Sequence, residues 1–216
     1  MPDDDAPDAR ADVRPDLTRR GRPRRRPDVT DLDLVGGPEP LRVTLHEHDP
    51  RWAGTFAEHR SRIVGALDGT PARVEHIGST SVPGLAAKPI VDVLVVVDDV
   101  TADEDHVDRL VAAGYVLRVR EPGHRLVRTP ARDVHVHVWE DGDPAVDEYL
   151  LFRDHLRRDA DDRARYEAVK RDLMTRRWDD SNAYADAKDE VVAAIKGRAR
   201  AAAAAGQAGQ PGHPSA

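Results

Sequence analysis

The run Val91-Asp92-Val93-Leu94-Val95-Val96-Val97 constrains this chain more than any other segment. Five valines and a leucine, set between Pro89 and Asp98-Asp99, read as a central strand buried on both faces. Such a strand needs a sheet around it and helices over that sheet. One residue breaks the pattern. An unpaired carboxylate is very costly to bury, so Asp92 must face a polar cleft, a metal or a cationic partner.

The aromatic residues show how much chain belongs to this sheet. All nine lie between Trp52 and Tyr184, and the expected domain spans 41–197. Residues 1–40 alternate acidic and basic blocks punctuated by seven prolines and offer almost nothing to bury, so they are expected to be a disordered tail. Residues 198–216 read as a fraying alanine helix that runs into a flexible Gly/Pro tail. Within the domain, the pattern predicts a short strand over Leu41–Leu45. A helix follows Asp49-Pro50, with Trp52, Phe56, Ile63, Val64 and Leu67 on its apolar stripe. The next strand, Ala72–Ile77, stops at Gly78. After the central strand, Thr101 and Glu104 suggest a capping box for a helix with Val107, Leu110 and Val111 inward. Tyr115–Val119, Arg125–Thr129 and Val134–Trp139 read as a meander. Helices occupy the rest: one carries Tyr149 and Phe152, one Tyr166 and Leu173, and one, capped by Ser181, carries Tyr184, Val191 and Ile195. The fold class is α+β, a mixed sheet with flanking helices and a helical C-terminal part.

Chemistry concentrates between Val74 and Val93. Gly78 lets a backbone approach a ligand closely, Ser79, Thr80 and Ser81 add hydroxyls and turn N–H groups, and Lys88 supplies a cation for a phosphate. A tight loop with a Lys88–Asp92 ion pair is the structural alternative. On Val134–Trp139 the valines alternate with His135 and His137, which places both histidines on one face. They read either as surface histidines or as a His-x-His site that works with Asp92, and with His76, on a metal or a phosphate. Arg153 and Asp154 read as a helix-to-sheet ion pair. His46, His48, His59, His106 and His124 show no pattern beyond surface positions.

The run from His76 through Gly78-Ser79-Thr80-Ser81-Val82-Pro83-Gly84-Leu85 to Lys88-Pro89-Ile90-Val91-Asp92 resembles the signature of the GrpB family, placed in the nucleotidyltransferase superfamily. His135-Val136-His137-Val138, Leu150–Arg157, and the spacing of Tyr166, Lys170, Tyr184 and Lys188 extend the resemblance over about 42–197. It implies a nucleotidyltransferase-like sheet and a nucleotide or other phosphorylated ligand. It also implies a divalent metal, Mg²⁺ or Mn²⁺, or a transition metal held by histidine. His76, Gly78, Ser79, Thr80, Lys88 and Arg153 are the expected phosphate-binding residues, and Asp92, His135 and His137 the expected catalytic and metal-binding ones. The superfamily's acid-x-acid pair is incomplete, because Leu94 stands at its second position. Two other functions follow from that gap. One is a non-catalytic module for a nucleotide or CoA-related metabolite, since family members also occur fused to dephospho-CoA kinase. The other is a hydrolase built on His76, Asp92, His135 and His137.

Composition removes other classes. With no cysteine there is no disulfide, thiol nucleophile or Cys-held zinc. No apolar run approaches the roughly 18–20 residues of a membrane span, and the polar N-terminus lacks a signal-peptide stretch, so a cytoplasmic location is expected. The net charge of −7 argues against a dedicated nucleic-acid binder. A weak contact through the Arg19–Arg26 cluster is the one nucleic-acid feature.

Overall fold

In the computed structural model, which describes residues 24–37, 44–176, 178 and 181–208, a six-stranded mixed sheet carries helices on both faces. The strands are β1 (Asp33–Leu34), β2 (Ala72–Ile77), β3 (Val91–Val97), β4 (Val116–Glu121), β5 (His124–Arg128) and β6 (Val134–Glu140). The helices are α1 (Arg51–Ala66), α2 (Val107–Ala112), α3 (Pro144–Arg158), α4 (Ala160–Leu173), α5 (Ser181–Asp186) and α6 (Asp189–Ala208). The strand order is β1-β4-β5-β6-β3-β2, with β3 and β6 parallel and the other neighbours antiparallel. This is the mixed α+β architecture expected from the sequence.

The valine-rich run is β3, an inner strand between β6 and β2. Val91, Val93, Val95 and Val97 join Val134, Val136 and Val138 of β6 against Trp52, Ile63 and Leu67 of the α1 region. Full burial of each such side chain stabilises the fold by about 1.5–3 kcal/mol relative to exposure. On the opposite face Leu94 and Val96 pack with Ile77 and with Val146 of α3. The parallel register sets Asp92 beside His135 and Leu94 beside His137. Those four residues share the second face, at the end where β3 and β6 begin.

Several expectations are corrected. Residues 24–37, assigned to a disordered tail, lie against the domain. β1 pairs with β4, and Asp28 accepts from Arg125 Nη2 and from the Gly123 N–H, each at 2.6 Å. In the arginine cluster, Arg24 pairs with Glu140 and Arg26 with Glu104, while Arg19, Arg20 and Arg22 lie outside the described residues. Residues 41–43 of the expected first strand also lie outside them, and His46 makes an isolated bridge to Ala87. The Thr101–Glu104 capping box is replaced. The Thr101 hydroxyl donates to the nearer Asp99 carboxylate at 2.6 Å, Asp103–Asp105 forms a 3₁₀ turn, and α2 starts at Val107. Val64 and Val111, read as inward, are exposed. The third C-terminal helix is two, α5 and α6, with Lys188 in the turn between them.

Candidate functional site

The site begins where β2 ends. Gly78 has φ of +69°, and a Cβ there would lie 2.3 Å from Asp92 Oδ2. Both the conformation and the space demand glycine. A 3₁₀ turn, Ser79–Ser81, follows, and the C-terminal helices clamp the loop. Arg157 Nε donates to the Ser81 carbonyl at 3.0 Å, and Glu167 accepts from the Ala86 N–H at 2.9 Å. Lys170 of α4 donates to Ser79 Oγ at 3.2 Å and to the Ala86 carbonyl, so one ammonium ties both ends of the loop.

Asp92 projects from β3 into the cleft this loop borders. Its Oδ2 packs against Gly78, and its Oδ1 faces His137 Nε2 at 3.6 Å and His135 Nδ1 at 3.9 Å. The three ligand-type atoms lie within 4.8 Å of one another. Burial acts to raise the Asp92 carboxyl, but the facing histidines outweigh it and hold it below the usual carboxylate value. Burial, partly offset by Asp92, lowers His135. Behind His137 stands His124 of β5, stacked between the His137 and Trp139 rings. Its Nε2 meets His137 Nδ1 at 3.2 Å and its Nδ1 meets Glu121 Oε1 at 2.6 Å. Burial, with His137 adding to it, pushes His124 down to about 3, so the ring is neutral.

The cleft has a volume of about 470 Å³, and Lys88, Lys170, Lys188 and Lys196 all line it. Lys88 Nζ stands 3.9 Å from the centre of the Tyr184 ring and Lys188 Nζ 4.5 Å from the same ring. Burial, reinforced by Lys188, lowers Lys88 to about 8, and burial lowers Lys170 to about 7. Lys196 is paired with Glu148 at 3.2 Å. Aromatic rings of Tyr149, Phe152, Tyr166 and Tyr184 complete the wall.

Of the residues expected from sequence, the structure brings together Gly78, Ser79, Lys88, Asp92, His135 and His137. It does not bring His76, Thr80 or Arg153 to them. His76 pairs with Val93 in register and so lies on the α1 side of the sheet, stacked on Phe56 at 4.6 Å and bonded to Thr80 Oγ1 at 3.1 Å. Burial, reinforced by Arg157, lowers this ring to about 4. Arg153 donates to Glu75 at 2.9 Å, to the His76 carbonyl and to Asp154, a helix-to-sheet clamp. Glu140 and Asp141, just past the histidine strand, sit at its far end. Glu140 is in register with Val97, five residues on from Asp92, which is about 16 Å along the strand. His124 and Glu121 escape the sequence reading. The spacing of Lys170 and Lys188 lets each face either the cleft or solvent, and both line the cleft, while Lys196 carries no such signal.

Residues 42–198 match the family model described as GrpB protein. A UPF0157 protein of Streptomyces coelicolor is 66% identical over 179 residues, 83% of this chain and 96% of that protein. The crystal structure of conserved protein GrpB from Enterococcus faecalis superposes with a TM-score of 0.64 at 31% identity, covering 72% of this chain and 96% of that one. A dephospho-CoA kinase of Mycolicibacterium paratuberculosis is 32% identical over 176 residues, 68% of this chain but 43% of that protein. No helix among the described residues is long and apolar enough to cross a membrane.

Proposed function

This chain belongs to the GrpB family, and we propose that its cleft binds the phosphates of a nucleotide or a related phosphorylated small molecule. One observation carries the reading. The chain has 29 arginines and four lysines, and all four lysines line this one cavity. Arginine serves its surface ion pairs, while the cleft uses a compact, rotatable ammonium that can follow a phosphate chain. The Gly78–Ser79 turn adds backbone N–H groups beside them. Tyr149, Phe152 and Tyr184 supply apolar surface for a base or another planar group, and about 470 Å³ lies within the range of small-molecule sites. The dephospho-CoA kinase relative directs the first ligands to test toward adenine nucleotides and CoA precursors.

The superfamily resemblance implies nucleotidyl transfer aligned by two divalent metals. Mg²⁺ requires oxygen ligands in octahedral geometry, and a metal pair requires shared carboxylates. Here Leu94 at the second acid position is fully buried in the α3-side core, and the neighbouring strand offers imidazoles. The donor set does not fit a two-Mg²⁺ centre, and transfer through such a pair is not assigned. Nor does a hydrolase that employs His76 fit, because that ring lies on the other face of the sheet. The reading is therefore ligand capture beside one carboxylate and two histidines, with a divalent metal at that trio.

Calorimetric titration with ATP, GTP, CTP, UTP, their monophosphates and dephospho-CoA tests it. At least one compound should bind, with the triphosphate at least tenfold tighter than its monophosphate, and Lys88→Ala or Lys188→Ala should weaken it at least tenfold. Binding to none of them, or binding indifferent to both lysines, overturns the reading.

A further inference from the structure

We infer that Asp92, His135 and His137 form a mononuclear site for a first-row transition-metal ion of the Zn²⁺ or Co²⁺ kind, and that Glu121 and His124 are its positioning residues. The inference needs no nucleotide and stands whether or not the phosphate reading holds.

It rests on geometry. His137 Nε2 faces Asp92 Oδ1 at 3.6 Å, and His135 Nδ1 faces the same oxygen at 3.9 Å. Both contacts are too long for hydrogen bonds. The three ligand-type atoms lie within 4.8 Å of one another at the edge of the cleft. Behind them His124 is stacked between Trp139 and His137, with its Nε2 3.2 Å from His137 Nδ1 and its Nδ1 2.6 Å from Glu121 Oε1. This chain fixes the plane of the His137 ring and turns Nε2 toward Asp92, an arrangement that a bound cation would complete.

The spacing suits a metal ion. Bonds of about 2.0–2.2 Å to histidine nitrogen and carboxylate oxygen put neighbouring ligand atoms roughly 3–3.5 Å apart, a contraction of a few tenths of an ångström from the two carboxylate–imidazole distances. Two imidazoles and one carboxylate select Zn²⁺, Co²⁺, Ni²⁺ or Fe²⁺ over Mg²⁺. Leu94, buried where a second acid would stand, limits the site to one ion. Three protein ligands leave positions open toward the lysine-lined cleft. A carboxylate behind a metal-binding histidine fixes its tautomer and raises its basicity. Here that role runs through an intervening second imidazole.

Chelator-stripped full-length protein titrated with Co²⁺ and with Zn²⁺ should bind one equivalent at micromolar Kd or tighter. Co²⁺ should develop ligand-field absorption in the visible, and Mg²⁺ should not saturate the site or displace it. Asp92→Ala and His135→Ala should each weaken Co²⁺ at least 100-fold. Glu121→Gln, at a half-buried position, should weaken it about 10- to 100-fold and change the Co²⁺ spectrum. Glu121→Asp, which keeps the carboxylate, should lose less affinity than Glu121→Gln. Absence of Co²⁺ and Zn²⁺ binding by the wild type, or a two-ion Mg²⁺ stoichiometry, would each overturn the inference.

Discussion

Among the described residues two groups have histidine and aspartate at metal-ligand spacing, Asp92–His135–His137 and His155–Asp159–Asp162. Their surroundings separate them. Asp162 is 1% exposed and already saturated. Arg198 donates to both its oxygens at 3.0 and 2.8 Å, Arg165 to one at 3.0 Å, His155 at 2.7 Å, and its own N–H is held by Asp159. Those donors, Arg198 foremost, hold its carboxyl far below the usual value. The cluster joins α3, α4 and α6. Asp92 instead meets ring nitrogens at distances too long for hydrogen bonds, and it borders a cavity. Ligand spacing alone does not make a site; what counts is whether the lone pairs are already spent. The Asp162 cluster spends its charge on holding helices together, and the Asp92 trio is the group proposed to hold a ligand.

The largest expected effect breaks the structural member of this pair. Asp162→Ala leaves Arg198, Arg165 and His155 without their common acceptor and should cost about 3 kcal/mol, at the low end for a buried pair because Arg198 and Arg165 can turn to water. Urea unfolding measures it, and Co²⁺ binding by the folded variant should be unchanged. A loss below about 1 kcal/mol would mean that the three helices are held by their apolar contacts alone.

The same variant gives a pH test. A carboxyl depressed in the folded state contributes stability that is fully present above its unfolded value of about 3.9 and is lost as pH falls through the folded value. Wild type and Asp162→Ala should therefore differ most near neutrality and converge on acidification below about pH 4. A gap that stays constant from pH 7 to pH 2.5 would show that packing, not charge, is what the substitution removes.

Gly78→Ala comes next and tests the other group. It places a side chain in a left-handed conformation and drives Cβ to 2.3 Å from Asp92 Oδ2. We expect about 2 kcal/mol of destabilisation and loss of Co²⁺ binding. In an Asp92→Ala background the clash with the carboxylate is gone, and the cost should fall by about 1 kcal/mol, a coupling that a double-mutant cycle isolates.

The two groups also differed in how legible they were. Asp92, His135 and His137 stand out because strand alternation gives each a face and because a charge inside a valine run needs a reason. Local order decides both signals. His76 was misplaced because its face depends on the β2–β3 register, which sets it opposite Val93 rather than Asp92. His124 was invisible because only the antiparallel β5–β6 pairing brings its ring onto His137. The lysines could be counted, but their convergence needs α4 packed under the loop and the α5–α6 break that turns Lys188 toward Tyr184. The Asp28–Arg125 latch spans almost a hundred residues, and nothing in a proline-punctuated segment announces it.

The smallest expected change in stability is the most informative about the Asp92 trio. Asp92→Asn keeps the shape of the side chain and removes an ionised carboxylate whose Oδ1 meets only nitrogens at 3.6 Å or more. Metal-free Asp92→Asn should therefore be destabilised by no more than about 1 kcal/mol, while Co²⁺ affinity falls at least 100-fold. Set beside Asp162→Ala, this is a difference of scale within one chemical type. A loss of 2 kcal/mol or more, measured by urea unfolding without metal, would mean that Asp92 is a structural ion-pair member like Asp162, and the distinction between the two groups would disappear.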